Sequence, residues 1–476
     1  MRIIDKIYID GAFVTPHGTE MFDLYNPAKG EVIGQVRLGD QEDARRAIDA
    51  AKRAFQTFSR TSKDERIAML RKLYDSVSAR IDELTEASIK EYGAPSGRAI
   101  WSTRFAVEAF VNAIKTLEGY DFHQRIGSAE VVMVPVGVAG LITPWNANIS
   151  FICNKLATAL AAGCTAVMKP SEMSAIQTQI VTECLHAAGL PAGVFNIVTG
   201  RGDIVGAELT MSPDIAKISF TGSTTVGKAI FRASADTLKR VTLELGGKSP
   251  TVVLDDADLE KAIPLVIAGG MNNNGQACVN GTRVLVPEPL LGKFNALLKD
   301  AVEKIKVGDP RDPETTLGPV VSRKQWERVE GYIRAGIEEG ATLLTGGEGL
   351  PDGVERGYFV KPTVFTDVSN EMKIAREEIF GPVLAVIGYS TEEEAIAIAN
   401  DTSYGLQAYV ISASHERAQR VAAQLQAGRV IINGAPHEPL APFGGFKQSG
   451  MGREYGVFGL EGFLETKAVL GAYQVE

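Results

Sequence analysis

Apolar and polar residues alternate along this chain with two different periods. From residue 7 to about 34 the period is two, interrupted by turn signals at Asp10-Gly11 and Asn26-Pro27, which predicts short strands or hairpins. Helical spacing takes over at 40–58 and 62–77, behind Asp40 and Ser62 as candidate caps, and continues through 81–92. These helices read as packing elements with a solvated charged face. Residues 130–135 (E-V-V-M-V-P) and 463–470 (F-L-E-T-K-A-V-L) are isolated β-prone runs at widely separated positions. Strands need partners, and one solution is that the two pair with each other and with a neighbouring subunit.

From residue 136 the pattern becomes regular. Strand-like runs at 136–142, 165–169, 195–199, 216–220 and 240–245 alternate with helical spacing at 149–162, 174–188, from Asp203, and at 223–235. Such a series predicts a doubly wound parallel sheet, whose ligands sit beyond the carboxyl ends of its strands. The pattern changes after Leu245-Gly246-Gly247-Lys248-Ser249-Pro250, where we place the lobe boundary. Strands at 282–286, 383–389, 407–412 and 428–433, between helices at 288–305, 322–339, 391–399 and 414–424, imply a second α/β sheet.

Composition narrows the class. At 476 residues the chain exceeds one ordinary core, and 45% hydrophobic with 22% charged residues describes a globular enzyme-sized protein. A net charge of −9 without long single-sign runs argues against nucleic acid and anionic membranes and for small-molecule partners. The most apolar stretch, 149–168, contains Asn154 and Lys155 and is broken by Gly163, so it reads as a buried helix and strand rather than a membrane span. The opening residues lack the apolar core of a secretory signal. Cys153, Cys164, Cys184 and Cys278 show neither C-x-x-C nor Cys/His ligand spacing, so neither disulfides nor a metal is expected and a reducing, cytoplasmic setting fits.

Candidate chemistry centres on residues 271–283, M-N-N-N-G-Q-A-C-V-N-G-T-R, where Cys278 stands between Gly275 and Gly281 in an amide-rich turn. Cys278 is either a nucleophile, which nearby glycines would let a carbonyl approach, or a small buried hydrophobe. Gly200-Arg201-Gly202 with Gly206 is one residue too wide for the dinucleotide fingerprint. Phe220-Thr221-Gly222-Ser223 ends a strand and opens a helix, giving an anion site or an ordinary serine cap. Lys169 and Glu172 could bind ribose hydroxyls, with the carboxylate repelling the extra phosphate of NADP, or form a surface ion pair.

Seven motifs in order carry a resemblance that covers essentially the whole chain. They are Thr143-Pro144-Trp145-Asn146, Lys169-Pro170-Ser171-Glu172, Phe220-Thr221-Gly222-Ser223, Leu243-Glu244-Leu245-Gly246-Gly247-Lys248, Gly275-Gln276-Ala277-Cys278, Glu377-Glu378-Ile379-Phe380-Gly381-Pro382 and Pro442-Phe443-Gly444-Gly445-Phe446-Lys447. The chain resembles the NAD(P)-dependent aldehyde dehydrogenases. That resemblance implies an α/β fold with a Rossmann-type cofactor domain (1–120 and 136–247), a second α/β catalytic domain (248–440) and a small β oligomerisation extension (121–135 and 441–476). It also implies that Cys278 attacks an aldehyde to form a thiohemiacetal, whose oxyanion is held by the Asn146 amide and the Cys278 N–H. Hydride then passes to NAD, and Glu244 activates the water that hydrolyses the thioester. Lys155 and Glu454 match positions that assist proton movement. Cofactor contacts carry over to Ile142, Trp145, Lys169, Glu172, Gly202, Gly206 and Ser223, with Glu378 on the nicotinamide ribose and Phe380 against the ring; NAD is expected over NADP.

Departures from the family bear on substrate. Many relatives read Pro-Trp-Asn-Phe-Pro where this chain has Pro144-Trp145-Asn146-Ala147-Asn148, and Asn154 and His437 fall where aromatic channel residues are common. Phe151 and Phe443 remain as candidate apolar wall, implying room for a bulkier or more polar aldehyde. His437 is alternatively a solvated loop residue. Two other activities stay open: acyl transfer to coenzyme A, against which Glu244 argues, and a non-catalytic binding protein on the same fold. A homodimer or homotetramer is expected.

Overall fold

The computed structural model describes residues 2–474. Two large sheets organise it. The first has eight strands, and its five parallel members lie side by side in the order Arg240–Glu244, Ile215–Thr221, Val138–Ile142, Thr165–Lys169, Phe195–Ile197. Val138–Ile142 and Thr165–Lys169 are buried at every position, as strands covered by helices on both faces must be. The antiparallel hairpin Ile7–Ile9 and Ala12–Val14 extends one edge, and Gly450–Met451 closes the other against Glu244. The first parallel strand in the chain, Val138–Ile142, stands in the middle. Later strands run outward on one side and then on the other, so the direction of winding reverses between Val138–Ile142 and Ile215–Thr221 and opens a crevice at their carboxyl ends.

The second sheet has seven strands: Thr342–Thr345, Thr363–Thr366, Val383–Tyr389, Arg283–Pro287, Pro250–Val253, Gln407–Ile411 and Arg429–Ile432, with only the Thr342–Thr345 pairing antiparallel. Three of these, Pro250–Val253, Thr342–Thr345 and Thr363–Thr366, are four residues long and were not expected from alternation. Pro250 is the first residue of its strand, a position where proline, which has no N–H to donate, is tolerated.

Local chemistry explains the helix starts. Asp40 and Ser62 both close capping boxes, with Asp43 and Glu65 respectively, and begin Gln41–Phe58 and Lys63–Ser78. Each cap contributes about 1 kcal/mol. The predicted helix over 81–92 is α-helical only to Ala87 and continues as a π turn, Ser88–Tyr92, which Gly93 ends in the left-handed region. The 24-residue helix Ser96–Gly119, absent from the expectations, packs on Asn148–Ala162.

The two isolated runs do find each other. Leu464–Val469 pairs antiparallel with Ala129–Pro135, which also pairs with His123–Ile126. The stretch 441–476 is not an extension throughout, however. Phe443 bridges Glu454, Gly450–Met451 joins the first sheet, and Leu460 and Phe463 enter the first lobe's core. Only its last strand belongs to the small sheet, because the apolar side chains before it are needed to cover the first lobe.

Candidate active site

A cleft of about 510 Å³ opens where the first sheet reverses its winding. Trp145 and Asn146 enter it from the end of Val138–Ile142, Ser223 from the end of Ile215–Thr221, and Glu244 from the end of Arg240–Glu244. The second lobe supplies Cys278, Glu378 and Phe380. Phe151, on the first turns of helix Asn148–Ala162, also lines it.

The Cys278 turn is held by amides. Asn273, Asn274 and Gly275 adopt successive positive φ values of 55°, 58° and 74°. Asparagine tolerates that region better than most residues, and glycine is required at 275, where a Cβ would lie 2.0 Å from the Gly381 carbonyl carbon. Hydrogen bonds of about 1 kcal/mol each offset the strain. The Asn274 amide donates to the carbonyls of Gly93 and Pro319 and accepts from Gly318 N–H, while Gln276 donates to Tyr92 Oη and accepts from Val321 N–H. Asn146 Nδ2 donates to the Gln276 carbonyl at 3.0 Å, and Asn273 Nδ2 donates to the Asn146 carbonyl at 2.9 Å. The Asn146 amide is thereby fixed beside the turn that carries the thiol. Tyr92 was not singled out by sequence, and Asn273, Asn274 and Gln276 only as members of the amide-rich turn around Cys278; the run Asn272-Asn273-Asn274-Gly275 signals its left-handed backbone.

Electrostatics set the resting protonation states. Glu244 is 2% exposed, and neither carboxyl oxygen has a hydrogen-bond partner. Burial foremost, and then the Glu454 carboxylate, hold its pKa well above the usual range, with Lys155 opposing. Burial pushes the Cys278 thiol up to about 12, helped by Glu378 and Glu244. Lys155, 1% exposed, forms an ion pair with Glu454 and donates to Ser219 Oγ at 2.9 Å. Neither Lys155 nor Glu454 reaches the cleft lining; they act on Glu244 from behind. Glu378 is pushed up to about 7 by burial and accepts the Gly247 N–H at 3.1 Å.

Lys169, Glu172, Gly202 and Gly206 lie outside the cleft lining, whereas Ser223 is part of it. Lys169 Nζ bonds Glu172 at 2.9 Å, and Gly202 and Gly206 bound a π turn after Phe195–Ile197. A methyl at Gly202 would meet nothing within 4 Å, and one at Gly206 only the Ile142 Cδ1 at 3.9 Å, so a flat group has room there. Ser223 caps helix Thr224–Ser234 through its hydroxyl at 3.4 Å from Val226 N. This leaves the helix terminus facing the crevice, as an anion site requires. Among the described residues no cluster of three or more His, Cys, Asp or Glu could hold a metal, and no helix is long and apolar enough to cross a membrane.

Four expected channel residues lie away from this lining. Ala147 faces a small cavity with Asn273, since its backbone turns away to start the helix that follows. Asn154, two helical turns on, is buried in another small cavity with Asn112 and Tyr455. Phe443 and His437 pack on Tyr455 at ring separations of 5.8 and 5.7 Å. His437 is thus a packed side chain rather than a solvated loop residue.

Comparison with known proteins agrees with this geometry. The description Aldehyde dehydrogenase family matches residues 13–469. The chain belongs to the aldehyde dehydrogenase family. It is 46% identical over 473 residues to a 3-succinoylsemialdehyde-pyridine dehydrogenase from a Pseudomonas species, covering 99% of both chains. Aldehyde dehydrogenase C from Pseudomonas syringae, solved as a cysteine-to-alanine mutant with NAD+ and octanal, is 44% identical with a TM-score of 0.98, covering 99% of this chain and 98% of that one. The Mycobacterium tuberculosis aldehyde dehydrogenase solved with NAD+ is 40% identical with a TM-score of 0.96, covering 98% of each. This dehydrogenase chain therefore shares its whole architecture with enzymes that hold NAD+.

Proposed function

We propose that this enzyme oxidises an aldehyde to a carboxylic acid with NAD, using one water and releasing NADH and protons. One observation carries the reading: the Cys278 thiol, the anchored Asn146 amide and the unpaired Glu244 carboxyl converge on one cleft at the sheet's reversal point. Cys278 adds to the carbonyl carbon, and Asn146 with the Cys278 N–H stabilises the oxyanion. When bound, NAD accepts the hydride. Glu378 and Phe380 would orient its acceptor end, while Ser223, Glu172, Gly202 and Gly206 would hold the remainder. The thioester left on Cys278 is hydrolysed by water that Glu244 deprotonates, and Lys155 and Glu454 lead the proton away.

Purified protein supplied with aliphatic, aromatic and charged aldehydes should generate NADH absorbance; no NADH with any aldehyde, together with no NAD binding, would refute the reading. Glu172→Ser should raise the NADP-to-NAD ratio of kcat/KM on the order of tenfold, because a repelling carboxylate is removed. An unchanged ratio would mean that Glu172 does not read the ribose.

The reading extends to self-association. Ile126 and Val469 on the small sheet and Leu470 in the turn just after it are 64%, 40% and 83% exposed, which supports a homodimer or homotetramer built through that sheet. All four cysteines are free, which supports a cytoplasmic setting.

A further inference from the structure

Arg429 opens the edge strand Arg429–Ile432 and was not singled out by sequence. Its half-buried guanidinium has three contacts, all with uncharged groups. Nε donates to Gln407 Oε1 at 2.7 Å, Nη1 meets His437 Nδ1 at 3.0 Å, and the guanidinium lies over the Phe443 ring at 4.9 Å. Among the described residues no carboxylate stands within ion-pair distance of it, whereas buried Arg283 is saturated by carbonyls and an amide. Nη2 has no protein partner and is not among the buried polar atoms, so it is reached by solvent.

His437 adds a second open donor. Arg429 can only donate, so His437 Nδ1 accepts and the ring proton resides on Nε2. That Nε2 is buried without a partner. Burial and the Arg429 charge both lower the His437 pKa, keeping the ring neutral.

The pair belongs to a wall of rings that joins the surface to the catalytic base. Trp101, 48% exposed, stacks on Phe105 at 5.1 Å, Phe105 meets His437 at 5.3 Å, and His437 and Phe443 both pack on Tyr455. Beyond Phe443, a Cβ on Gly444 would lie 2.8 Å from Glu244 Oε1. The Arg429 charge is felt at both Glu244 and Cys278. The uncompensated guanidinium therefore stands outside the cleft lining but one layer from it, against Phe443 next to the Gly444 backbone that faces Glu244, and linked through Gln407 and Tyr409 to the Val279 carbonyl. A partly buried charge there calls for an opposite one.

We propose that Arg429, backed by His437, is a specificity-determining residue that receives a carboxylate on the tail of the aldehyde, so that the favoured substrates are short aldehydes that are also acids. The proposal rests on the function proposed above. A carboxylate can accept the open Nη2 and neutralise the guanidinium, whereas an uncharged acceptor leaves the charge uncompensated.

There is a competing structural role. Gln407, which Arg429 holds, donates to Tyr409 Oη, and Tyr409 donates to the Val279 carbonyl beside Cys278 at 3.0 Å. A pure prop of the cysteine turn would affect every aldehyde alike, and the test separates the two.

kcat/KM with NAD would be measured for 4-oxobutanoate and 5-oxopentanoate against butanal and pentanal, in wild type, Arg429→Met and Arg429→Lys. The carboxylated substrates should be preferred by wild type. That preference should fall about ten- to hundredfold in Arg429→Met and recover in part in Arg429→Lys. Equal losses on both classes, or no wild-type preference, would overturn the proposal. Calorimetric binding of succinate and butanoate to the NAD-loaded enzyme gives a readout without turnover: succinate should bind more tightly, and Arg429→Met should erase the difference. Oxidation of butanal with no advantage for succinate defeats this inference alone. Arg429-dependent succinate binding without oxidation of any aldehyde defeats the proposed function instead.

Discussion

Cys278→Ala should lower turnover by at least about ten-thousandfold while leaving NAD affinity close to wild type. The size follows from the thiol's place in the reaction: without it no covalent adduct forms, and removing a nucleophile typically costs as much as removing the whole catalytic unit. NAD affinity should survive because alanine removes only one sulfur from a turn that Asn273, Asn274 and Gln276 hold through other hydrogen bonds. The variant should show no burst of NADH in rapid mixing and an unchanged NAD dissociation constant. A residual rate above about one per cent of wild type would remove Cys278 from its role.

The wild-type burst should also depend on pH in a defined direction. Burial and the Glu378 and Glu244 carboxylates push the thiol up to about 12, so little thiolate exists at neutral pH in the free enzyme. The rate of adduct formation should therefore rise with pH. Lys155 and Arg429 oppose the same carboxylate-rich environment by favouring ionised Glu244, with Arg429 also favouring ionised Cys278.

The parallel strands of the first sheet were legible because they are short β-prone runs alternating with helical spacing, and the two central ones, Val138–Ile142 and Thr165–Lys169, are buried throughout. Of the four-residue strands, Arg429–Ile432 was legible from its Val430-Ile431-Ile432 run, whereas Pro250–Val253 (P-T-V-V) and Thr363–Thr366 (T-V-F-T) carry too few apolar positions to show a period and take their identity from neighbours in the sheet. Helix Ser96–Gly119 was missed for a related reason. Its buried face mixes four alanines, Ala99, Ala106, Ala109 and Ala113, and two threonines, Thr103 and Thr116, with its larger apolar residues, which weakens the hydrophobic signal. Within the site, Asn146 entered through the family resemblance, whereas Cys278 and Glu244 stood out because each sits at a glycine-marked turn or a strand end. Arg429 and Tyr92 did not, because nothing local distinguishes them. Arg429 stands against Phe443, and Tyr92 against Gln276, only after distant elements have packed. Asn154 shows the opposite case: matching position along the chain did not bring it to the Cys278 cleft, because its helix turns that face toward Asn112 and Tyr455.

Glu244→Gln should separate the two halves of the reaction. Glutamine has nearly the same shape and cannot take a proton, so hydride transfer should persist while hydrolysis of the thioester slows about a hundredfold to ten-thousandfold. The visible consequences are a retained NADH burst, a collapsed steady state and an acyl adduct on Cys278 in the intact-protein mass. Unchanged steady-state turnover would show that another group activates the water. The pH profile gives an independent check. With its pKa held well above the usual range, Glu244 is protonated at low pH and becomes a base as pH rises, so wild-type deacylation should climb with pH and the variant should lose that rise. Stability should move the other way. A carboxyl whose pKa is raised by folding contributes stability at low pH and loses it as pH rises through the folded pKa. Glutamine never ionises, so Glu244→Gln should unfold at no lower a Tm than wild type at alkaline pH, and its lost activity cannot then be ascribed to a damaged fold.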